Sequence, residues 1–289
     1  METGQPDIFH HISSPWAWDE RGTDSLTNIT VILGDTITLI DSGAADSPEK
    51  AIIPFIRKNN RNANEIKDII LTHGHEDHMS GILGLFEVSQ PTIYIHELDE
   101  PKLEAMLEKA NTDSSAVRTL KNNQVLELSG RALRVIHTPG HTEGSVVVLD
   151  QELRLAVSGD SVQGQGDERP LIFYGSEAYE TSLNRLLNEP IDILMLGHPF
   201  PPFRKSVLMG RDSVAFIKES LNAMIWSKKH LSSILEDLTE PFDFEEVVAN
   251  VPKLRESTIL CILEELTKKG LLEVTKDSSG NRNLWIRRT

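Results

Sequence analysis

The sequence predicts an α/β protein in which two β-sheets pack between helices, an αββα arrangement followed by a small helical unit. Two observations predict this class. Short apolar runs with strand character alternate with amphipathic helical segments as far as about residue 200. Beyond that point the order changes to three helices and a hairpin. We therefore predict a first domain at residues 1–205 and a second at residues 206–289.

The first half contains five strand-like runs, at about residues 7–12, 28–33, 36–41, 68–71 and 92–95. Gly34-Asp35 lies between the second and third runs and is typical of a hairpin turn. Ser47-Pro48-Glu49 predicts a helix that runs to about residue 59, because proline is favoured in the first helical turn. Further helices are expected at about residues 81–88 and 98–109.

The second half repeats this alternation and then changes character. Strands are expected at about residues 125–128, 131–137, 145–149, 154–158 and 191–196, with a helix at about 177–188. Prolines at 199, 201 and 202 interrupt the chain. Helices at about 212–229, 244–250 and 255–269 and a hairpin of strands 271–276 and 283–288 complete the chain. This order resembles a winged-helix domain.

The net charge of −15 belongs almost entirely to the first domain. Residues 201–289 hold 14 basic and 13 acidic residues, so the acidic excess lies in the first 200 residues. An acidic surface repels phosphate backbones and disfavours a nucleic-acid partner. The charge therefore favours a small-molecule substrate.

The sequence also bears on location. Its first residues lack a basic stretch followed by an apolar one, and no apolar run approaches the length of a membrane span. We therefore expect a cytoplasmic protein without membrane contact. The single cysteine, Cys261, lies in an apolar helical run, so we expect a buried side chain rather than a nucleophile. A homodimer is compatible with the sequence.

The strongest chemical signal is the segment 73–78, His-Gly-His-Glu-Asp-His, which follows the apolar run 69–71. Imidazole and carboxylate side chains together suit zinc, iron or manganese. A tight turn at the end of a strand can bring the three histidines and the aspartate to one point, and Gly74 permits such a turn. The segment therefore predicts a metal site.

Three later residues repeat this pattern of strand, glycine and ligand. His141, Asp160 and His198 each follow a strand-like apolar run, and each is directly preceded by glycine. Polar groups at strand ends can share one edge of a rigid sheet. We therefore expect these three side chains to join the first motif.

The seven residues resemble the ligand set of metallo-β-lactamase-fold hydrolases, which carry H-x-H-x-D-H, a lone histidine, an aspartate and a last histidine in this order. The resemblance covers roughly residues 5–205. It implies a first metal ion on three histidines, a second on one aspartate and two histidines, and a bridging aspartate: His73, His75 and His141; Asp77, His78 and His198; and Asp160. It also implies that Asp41 supports a ligand histidine without binding metal itself.

This ligand set implies two divalent metal ions, with zinc preferred and iron or manganese as alternatives. A bridging water should lose a proton near neutral pH and attack a carbonyl or phosphorus as hydroxide. Asp160 as the bridge and Asp77, which can orient the hydroxide, are the expected catalytic carboxylates. Flavodiiron-type relatives replace the second histidine of the motif with glutamate. This chain has His75 there, which favours hydrolysis over redox chemistry.

Aromatic and apolar residues near the ligands predict a substrate pocket. Two tryptophans are expected in a loop between the first two strands, and the others lie near Asp160, His78 or His198 in the sequence. The expected pocket residues are Trp16, Trp18, Met79, Phe173, Tyr174 and Phe200. Such side chains favour an uncharged or acyl substrate.

The sequence therefore favours a dinuclear hydrolase of a small ester, thioester or lactone, as in the glyoxalase II-like and acyl-thioesterase branches. Three alternatives stay open: a metal-dependent phosphodiesterase or endoribonuclease with a winged-helix domain, an iron enzyme of the persulfide dioxygenase type, and a non-catalytic metal-binding protein. The last long helix carries Glu256, Glu264 and Glu265, which is a poor surface for phosphate contact. We expect the second domain to pack against the first or to complete its pocket.

Overall fold

The computed structural model describes residues 8–17, 24–166, 169–280 and 282–288. Its strands are β1 Phe9–Ala17, β2 Asp24–Leu33, β3 Ile37–Ile40, β4 Ile66–Ile70, β5 Thr92–His96, β6 Val117–Leu120, β7 Val125–Leu128, β8 Arg131–His137, β9 Val146–Asp150, β10 Leu155–Val157, β11 Ile193–Met195, β12 Val207–Met209, β13 Phe242–Asp243, β14 Leu272–Lys276 and β15 Asn283–Arg287. Its α-helices are α1 Ile53–Lys58, α2 Glu76–Met79, α3 Ile82–Phe86, α4 Glu100–Lys109, α5 Ser176–Leu186, α6 Arg211–Asp237, α7 Phe244–Asn250 and α8 Glu256–Lys268. A π-helical turn, Pro48–Ile52, leads into α1.

The strands form two large sheets and one small sheet. The first large sheet has the order β1-β2-β3-β4-β5-β6, and the second has the order β12-β11-β10-β9-β8-β7. From β3 to β6 the neighbours are parallel, because helices connect these strands. In the second sheet only β10 and β11 are parallel. The small sheet has the order β13-β15-β14.

Three apolar clusters show how the layers pack. One lies between the two large sheets and contains Ile40 and Ile70 of the first sheet with Val135 and Val148 of the second. A second lies between the first sheet and helices α1, α3 and α4. The third covers the other face of the second sheet. The predicted αββα arrangement is therefore confirmed.

The C-terminal helical region, which comprises residues 206–280 and 282–288, shares the third cluster with the second sheet. That cluster includes Leu149 of β9, Phe216 of α6, Ile262 of α8 and Trp285 of β15. The helices and the hairpin follow in the order that the sequence predicts. The apolar cluster contains residues from both sides of residue 205, so it does not mark a boundary there. The division of the chain at residue 205 stays a prediction.

The structure differs from the sequence-based expectation in several segments. Helix α6 ends at Asp237, whereas apolar periodicity predicts an end near residue 229. Strands β6, β12 and β13 are absent from the expectation. Trp16 lies in β1 rather than in a loop. Trp18 lies outside the described residues.

Within the described residues, no helix combines the length and the apolar character needed to cross a bilayer. The cytoplasmic location stays a prediction.

Candidate metal centre

The predicted ligands lie in turns that follow the strands of both large sheets. His73 and His75 follow β4, and His141 follows β8. Asp160 and His198 follow the adjacent parallel strands β10 and β11. The two sheets therefore bring the turns that carry the ligands to one place.

The structure explains why glycine is needed at two of the positions that directly precede candidate ligands. Gly197 lies against the Asp160 carboxylate, and an added Cβ would be 2.3 Å from Asp160 Oδ1. Gly159 has a φ of +48° and lies against Thr72. A side chain at either position would displace Asp160 or the turn that leads to the first motif.

The first trio of ligands consists of His73, His75 and His141. His75 Nδ1 lies 3.1 Å from His73 Nε2 and 2.9 Å from His141 Nε2. His73 and His141 are buried, and His75 is half-buried. Three imidazole nitrogens that lie this close to one another and face one point match the donor set of a transition-metal site.

The second trio consists of Asp77, His78 and His198. His78 Nε2 lies 3.3 Å from His198 Nε2, and Asp77 Oδ2 lies 3.2 Å from the same His198 atom. Asp77 Oδ2 also lies 3.6 Å from His78 Nε2. These three donor atoms form a second group that could hold a metal ion.

Asp160 lies between the two trios. Its Oδ2 is 3.6 Å from His141 Nε2 and 3.5 Å from His198 Nε2, and its Oδ1 is 3.5 Å from His78 Nε2. Asp160 Oδ1 is buried and has no hydrogen-bond partner among the described residues. A buried carboxylate oxygen without a donor normally has a bound ion or water. The residues therefore fit a centre of two metal ions with Asp160 between them.

Hydrogen bonds from outside the trios orient three of the ligand imidazoles. His78 Nδ1 donates to Asp41 Oδ2 over 2.8 Å, His198 Nδ1 donates to Leu26 O over 2.7 Å, and His141 Nδ1 donates to Leu171 O over 2.8 Å. Each bond keeps a proton on Nδ1 and directs Nε2 at the centre. Asp41 therefore lies where the sequence predicts, in contact with a ligand histidine.

Asp41 also holds the turn that carries the first motif. Its carboxylate accepts hydrogen bonds from the Thr72 amide over 2.8 Å and from the Thr72 hydroxyl over 2.9 Å. Its φ of +64° is unusual for a residue other than glycine. This strained backbone places one carboxylate against both Thr72 and His78, which is a typical use of strain at functional sites.

Comparisons with known proteins agree with this geometry. Residues 22–198 match the family model of the metallo-beta-lactamase superfamily. The chain belongs to the metallo-beta-lactamase superfamily. A beta-lactamase-like protein 2 homolog of Drosophila melanogaster is 28% identical over 168 residues, which are 57% of this chain and 55% of that protein. The thioesterase pkgB of Emericella nidulans is 26% identical over 185 residues, 64% of this chain and 48% of that protein.

The chain thus spans about half the length of these two curated relatives. Among solved structures, a metallo-beta-lactamase family protein from Thermus thermophilus aligns with a TM-score of 0.70 at 19% identity, covering 97% of this chain and 99% of that one. A beta-lactamase domain protein from Burkholderia ambifaria aligns with a TM-score of 0.74 at 13% identity, covering 97% of this chain and 93% of that one. At these identities the structures show that the fold is shared, including its C-terminal region.

Two further side chains of this metallo-beta-lactamase superfamily member support the ligands and are missed by sequence reasoning. Gln163 Nε2 donates to Leu171 O over 2.8 Å, and Gln163 Oε1 accepts from the Leu171 amide over 2.8 Å. Asp99 Oδ2 accepts from the Gly74 amide over 2.9 Å and from Thr142 Oγ1 over 2.6 Å. Asp99 therefore ties the two turns of the first trio together.

The two trios differ in their electrostatics. Burial, followed by repulsion from His141, lowers the pKa of His75 to about 3, and burial also lowers the pKa of His73 and His141. Burial opposes protonation of His78 as well, but the nearby carboxylates, with Asp77 first, raise its pKa to about 9. Asp160 and Asp77 likewise overcome burial and raise the pKa of His198 to about 10.

A cavity of about 280 Å³ opens above the ligands, and it is lined by Trp16, Leu26, His75, Asp77, His141, Asp160, Arg169, Leu171, His198, Pro199, Phe200, Pro201 and Arg204. Of the expected pocket residues, Trp16 and Phe200 line it. Phe173 does not line the cavity itself; its ring packs edge-on against His75, with 5.0 Å between the ring centroids. The arginines are additions that the aromatic pattern could not indicate.

Two expected pocket residues lie elsewhere. Met79 is 4% exposed and belongs to the apolar cluster under the first sheet, because it follows His78 on the inner side of α2. Tyr174 lines a separate groove with Pro139 and Glu177. Neither side chain is part of the wall of the 280 Å³ cavity, and both assignments are corrected.

Proposed function

We propose that this chain is a dinuclear metal-dependent hydrolase that acts on a small ester, thioester or lactone. The observation that carries the proposal is the arrangement of two ligand trios on either side of Asp160 at the base of one cavity. A structural zinc site needs only four ligands and is closed to solvent. Here five of the seven donor side chains line a cavity: His75, Asp77, His141, Asp160 and His198.

The ligands would divide as their positions indicate. His73, His75 and His141 would hold one ion, Asp77, His78 and His198 would hold the other, and Asp160 would contact both. The nitrogen and oxygen donors favour zinc and are compatible with iron or manganese. When bound, such ions polarise a substrate oxygen and lower the pKa of coordinated water.

The chain's own residues would prepare the substrate and the attacking water. Before an ion binds, the His78 imidazolium opposes the effect of burial and lowers the pKa of Asp77 to about 2; a bound cation would keep the carboxylate ionised in the same way. Asp77 Oδ2 can therefore accept a hydrogen bond from a water molecule and direct its lone pair toward a carbonyl carbon. Trp16, Leu171 and Phe200 would bind the acyl part and reduce access of other water molecules.

The substrate class follows from the size and the walls of the cavity. A volume of about 280 Å³ is at the lower end of small-molecule pockets. A relative named as a thioesterase supports a thioester in particular. Arg169 and Arg204 border the cavity, and the Arg169 guanidinium lies 5.3 Å from the centre of the Phe200 ring.

The C-terminal region, which we propose to be of winged-helix type, would support the pocket rather than bind nucleic acid. Helix α8 presents Glu265 to the start of α5, where its carboxylate accepts hydrogen bonds from the Ser176 hydroxyl and the Glu177 amide. Thr258 of the same helix contacts the loop after Asp160. Helix α8 therefore uses these side chains for contacts inside the protein, which supports a structural role for the helix over nucleic-acid binding.

Turnover assays on the metal-depleted and reconstituted chain test this proposal. The substrates are p-nitrophenyl acetate, an acyl thioester, a lactone, bis-p-nitrophenyl phosphate and single-stranded RNA. We expect metal-dependent hydrolysis of at least one of the ester, the thioester and the lactone, and no hydrolysis of RNA. A His230→Ala variant is the control, because His230 stacks on Trp226 in α6 and does not line the cavity.

Activity confined to the phosphodiesters would contradict the substrate class and favour the nuclease alternative. Metal binding without turnover of any of the five substrates would favour a non-catalytic role. Oxygen consumption with a persulfide, at one iron per chain, would replace hydrolysis by the dioxygenase alternative.

A further inference from the structure

One segment of the chain, residues 169–174, connects the candidate metal centre with the C-terminal region. Leu171 O accepts the hydrogen bond from His141 Nδ1 over 2.8 Å, and the Phe173 amide donates to His141 O over 2.9 Å. The Phe173 ring packs against His75. The position of this segment therefore determines how two ligands of the first trio are oriented.

Thr258 of α8 holds both peptide groups that flank Leu171. Its side chain is fully buried, at 0% exposure. The hydroxyl donates to Pro170 O over 3.0 Å and accepts from the Ile172 amide over 3.2 Å. A threonine hydroxyl has a single proton to donate, and here that proton and an oxygen lone pair are both used on the same segment. The Leu171 carbonyl between these two bonds is fixed in direction.

Gln163 holds Leu171 directly from within the loop, with its side chain bonded to the Leu171 carbonyl and amide. Two further contacts from the C-terminal region hold the ends of the loop and lie further from His141. The Gly164 amide donates to Ser220 Oγ of α6 over 2.7 Å. Glu265 of α8 accepts from Ser176 at the start of α5. Of these residues of the C-terminal region, Thr258 bonds closest in sequence to Leu171, whose carbonyl orients His141.

We propose that Thr258 is a positioning residue for the metal centre, which acts through Leu171 O on His141. The inference rests on the proposed metal function, because it assigns the residue a role toward the ion held by His73, His75 and His141. A carbonyl that orients a ligand histidine contributes to metal affinity, and loss of such a partner lowers affinity about tenfold to a hundredfold. Thr258 acts one step further away, so the effect is expected near the lower value.

The test compares three variants of the full chain. Thr258→Val removes the hydroxyl, and Thr258→Ser keeps it. Thr267→Val removes a hydroxyl on the same helix that, among the described residues, donates to Leu263 O over 2.8 Å. Zinc affinity of each metal-depleted protein is measured by competition with a chromophoric chelator. The visible spectrum of the cobalt form reports the geometry of the ligands, and thermal unfolding of the metal-free protein reports stability.

We expect about tenfold weaker binding of one of the two ions in Thr258→Val and an altered cobalt spectrum. Thr258→Ser and Thr267→Val should match the wild type in both readouts. If Thr258→Val loses stability but binds zinc as tightly as Thr267→Val, the hydroxyl has a structural role only and the inference is wrong. If the wild type itself binds no metal, the proposed function fails, and the two failures are therefore distinguishable.

Hydrogen exchange of the unmodified chain provides a second test that does not depend on the folding of a variant. Coupling between two sites is reciprocal, so an ion that needs an ordered 169–174 segment must in turn stabilise that segment. We expect zinc to slow exchange of the Ile172 amide, which donates to Thr258. An Ile172 exchange rate that is unchanged by zinc would overturn the inference.

Discussion

The two ligand trios each place three donor side chains around one point, but they differ in protonation. The first, His73, His75 and His141, contains imidazoles whose pKa values are lowered by burial, so all three are neutral at neutral pH. In the second trio, carboxylates raise the pKa of both His78 and His198. The first site is therefore ready for a cation, whereas the second must release protons before it can accept one.

The largest effect is expected where the two trios meet. Asp160→Asn removes the negative charge that lies between His141, His78 and His198. Both ions should bind more weakly, and turnover should fall about a hundredfold to ten-thousandfold, because several kcal/mol of transition-state stabilisation are lost. Metal content and turnover measure the effect. Loss of one ion only would show that the aspartate does not serve both trios.

Substitution within one trio should separate the two sites. His75→Ala should leave the second trio able to hold one ion, and His198→Ala should leave the first trio able to do so. Each variant should lose turnover about a hundredfold or more, because we propose that both ions act in catalysis. Elemental analysis and turnover are measured together. Full activity at one ion per chain would contradict dinuclear chemistry.

The pH dependence of metal binding should differ between the trios. His78 and His198 have raised pKa values, so they hold protons at neutral pH that compete with the ion. Affinity of the second trio should therefore fall as the pH is lowered below about 9, by up to about a hundredfold per unit for two protons. The first trio should keep its ion to much lower pH, since the pKa of His75 is about 3.

Zinc titrations between pH 8.5 and 5.5 measure this difference. His198→Ala, which keeps only the first trio, should bind with a shallow pH dependence, and His75→Ala should bind with a steep one. Equal slopes for the two variants would show that the carboxylates do not control the second site.

The smallest effects on metal affinity should come from the two carboxylates that hydrogen-bond to the candidate ligands or to their turns. Asp41 bonds to His78 of the second trio, and Asp99 bonds to Gly74 and Thr142 beside the first. Asp41→Asn and Asp99→Asn should each lower metal affinity about tenfold, at the second and first site respectively. Cobalt spectra of the two variants, each measured with one ion per chain, check the assignment. Identical spectra would contradict it.

Local sequence is sufficient to predict which candidate ligands the structure brings together, but not the groups that orient them. Each ligand follows an apolar strand, and His141, Asp160 and His198 also follow a glycine, so the pattern is visible within a few residues. Gln163 bonds to Leu171, which lies 8 residues further along the same loop, and Asp99 bonds to Thr142, which lies 43 residues away. Nothing in the local sequence around either residue indicates its partner.

The errors in the pocket have the same physical origin. Met79 is expected in the pocket because it follows a ligand, yet helical geometry directs it into the apolar core. Tyr174 follows Phe173 in the chain but contributes to a different groove. Arg204 comes from the turn after His198, and its place beside the cavity depends on how that turn folds back. Proximity in sequence to a candidate ligand therefore predicts the place of Phe200 correctly but not that of Met79 or Tyr174.

We propose above all that each trio binds one cation, and a count of bound metal tests this most directly. The chain is stripped with a chelator, incubated with excess zinc, freed of loose metal by gel filtration at pH 8 and analysed by elemental mass spectrometry. We predict two ions per wild-type chain and no more than one in both His75→Ala and His198→Ala. A wild-type chain that retains none, or variants that still retain two, would contradict the account.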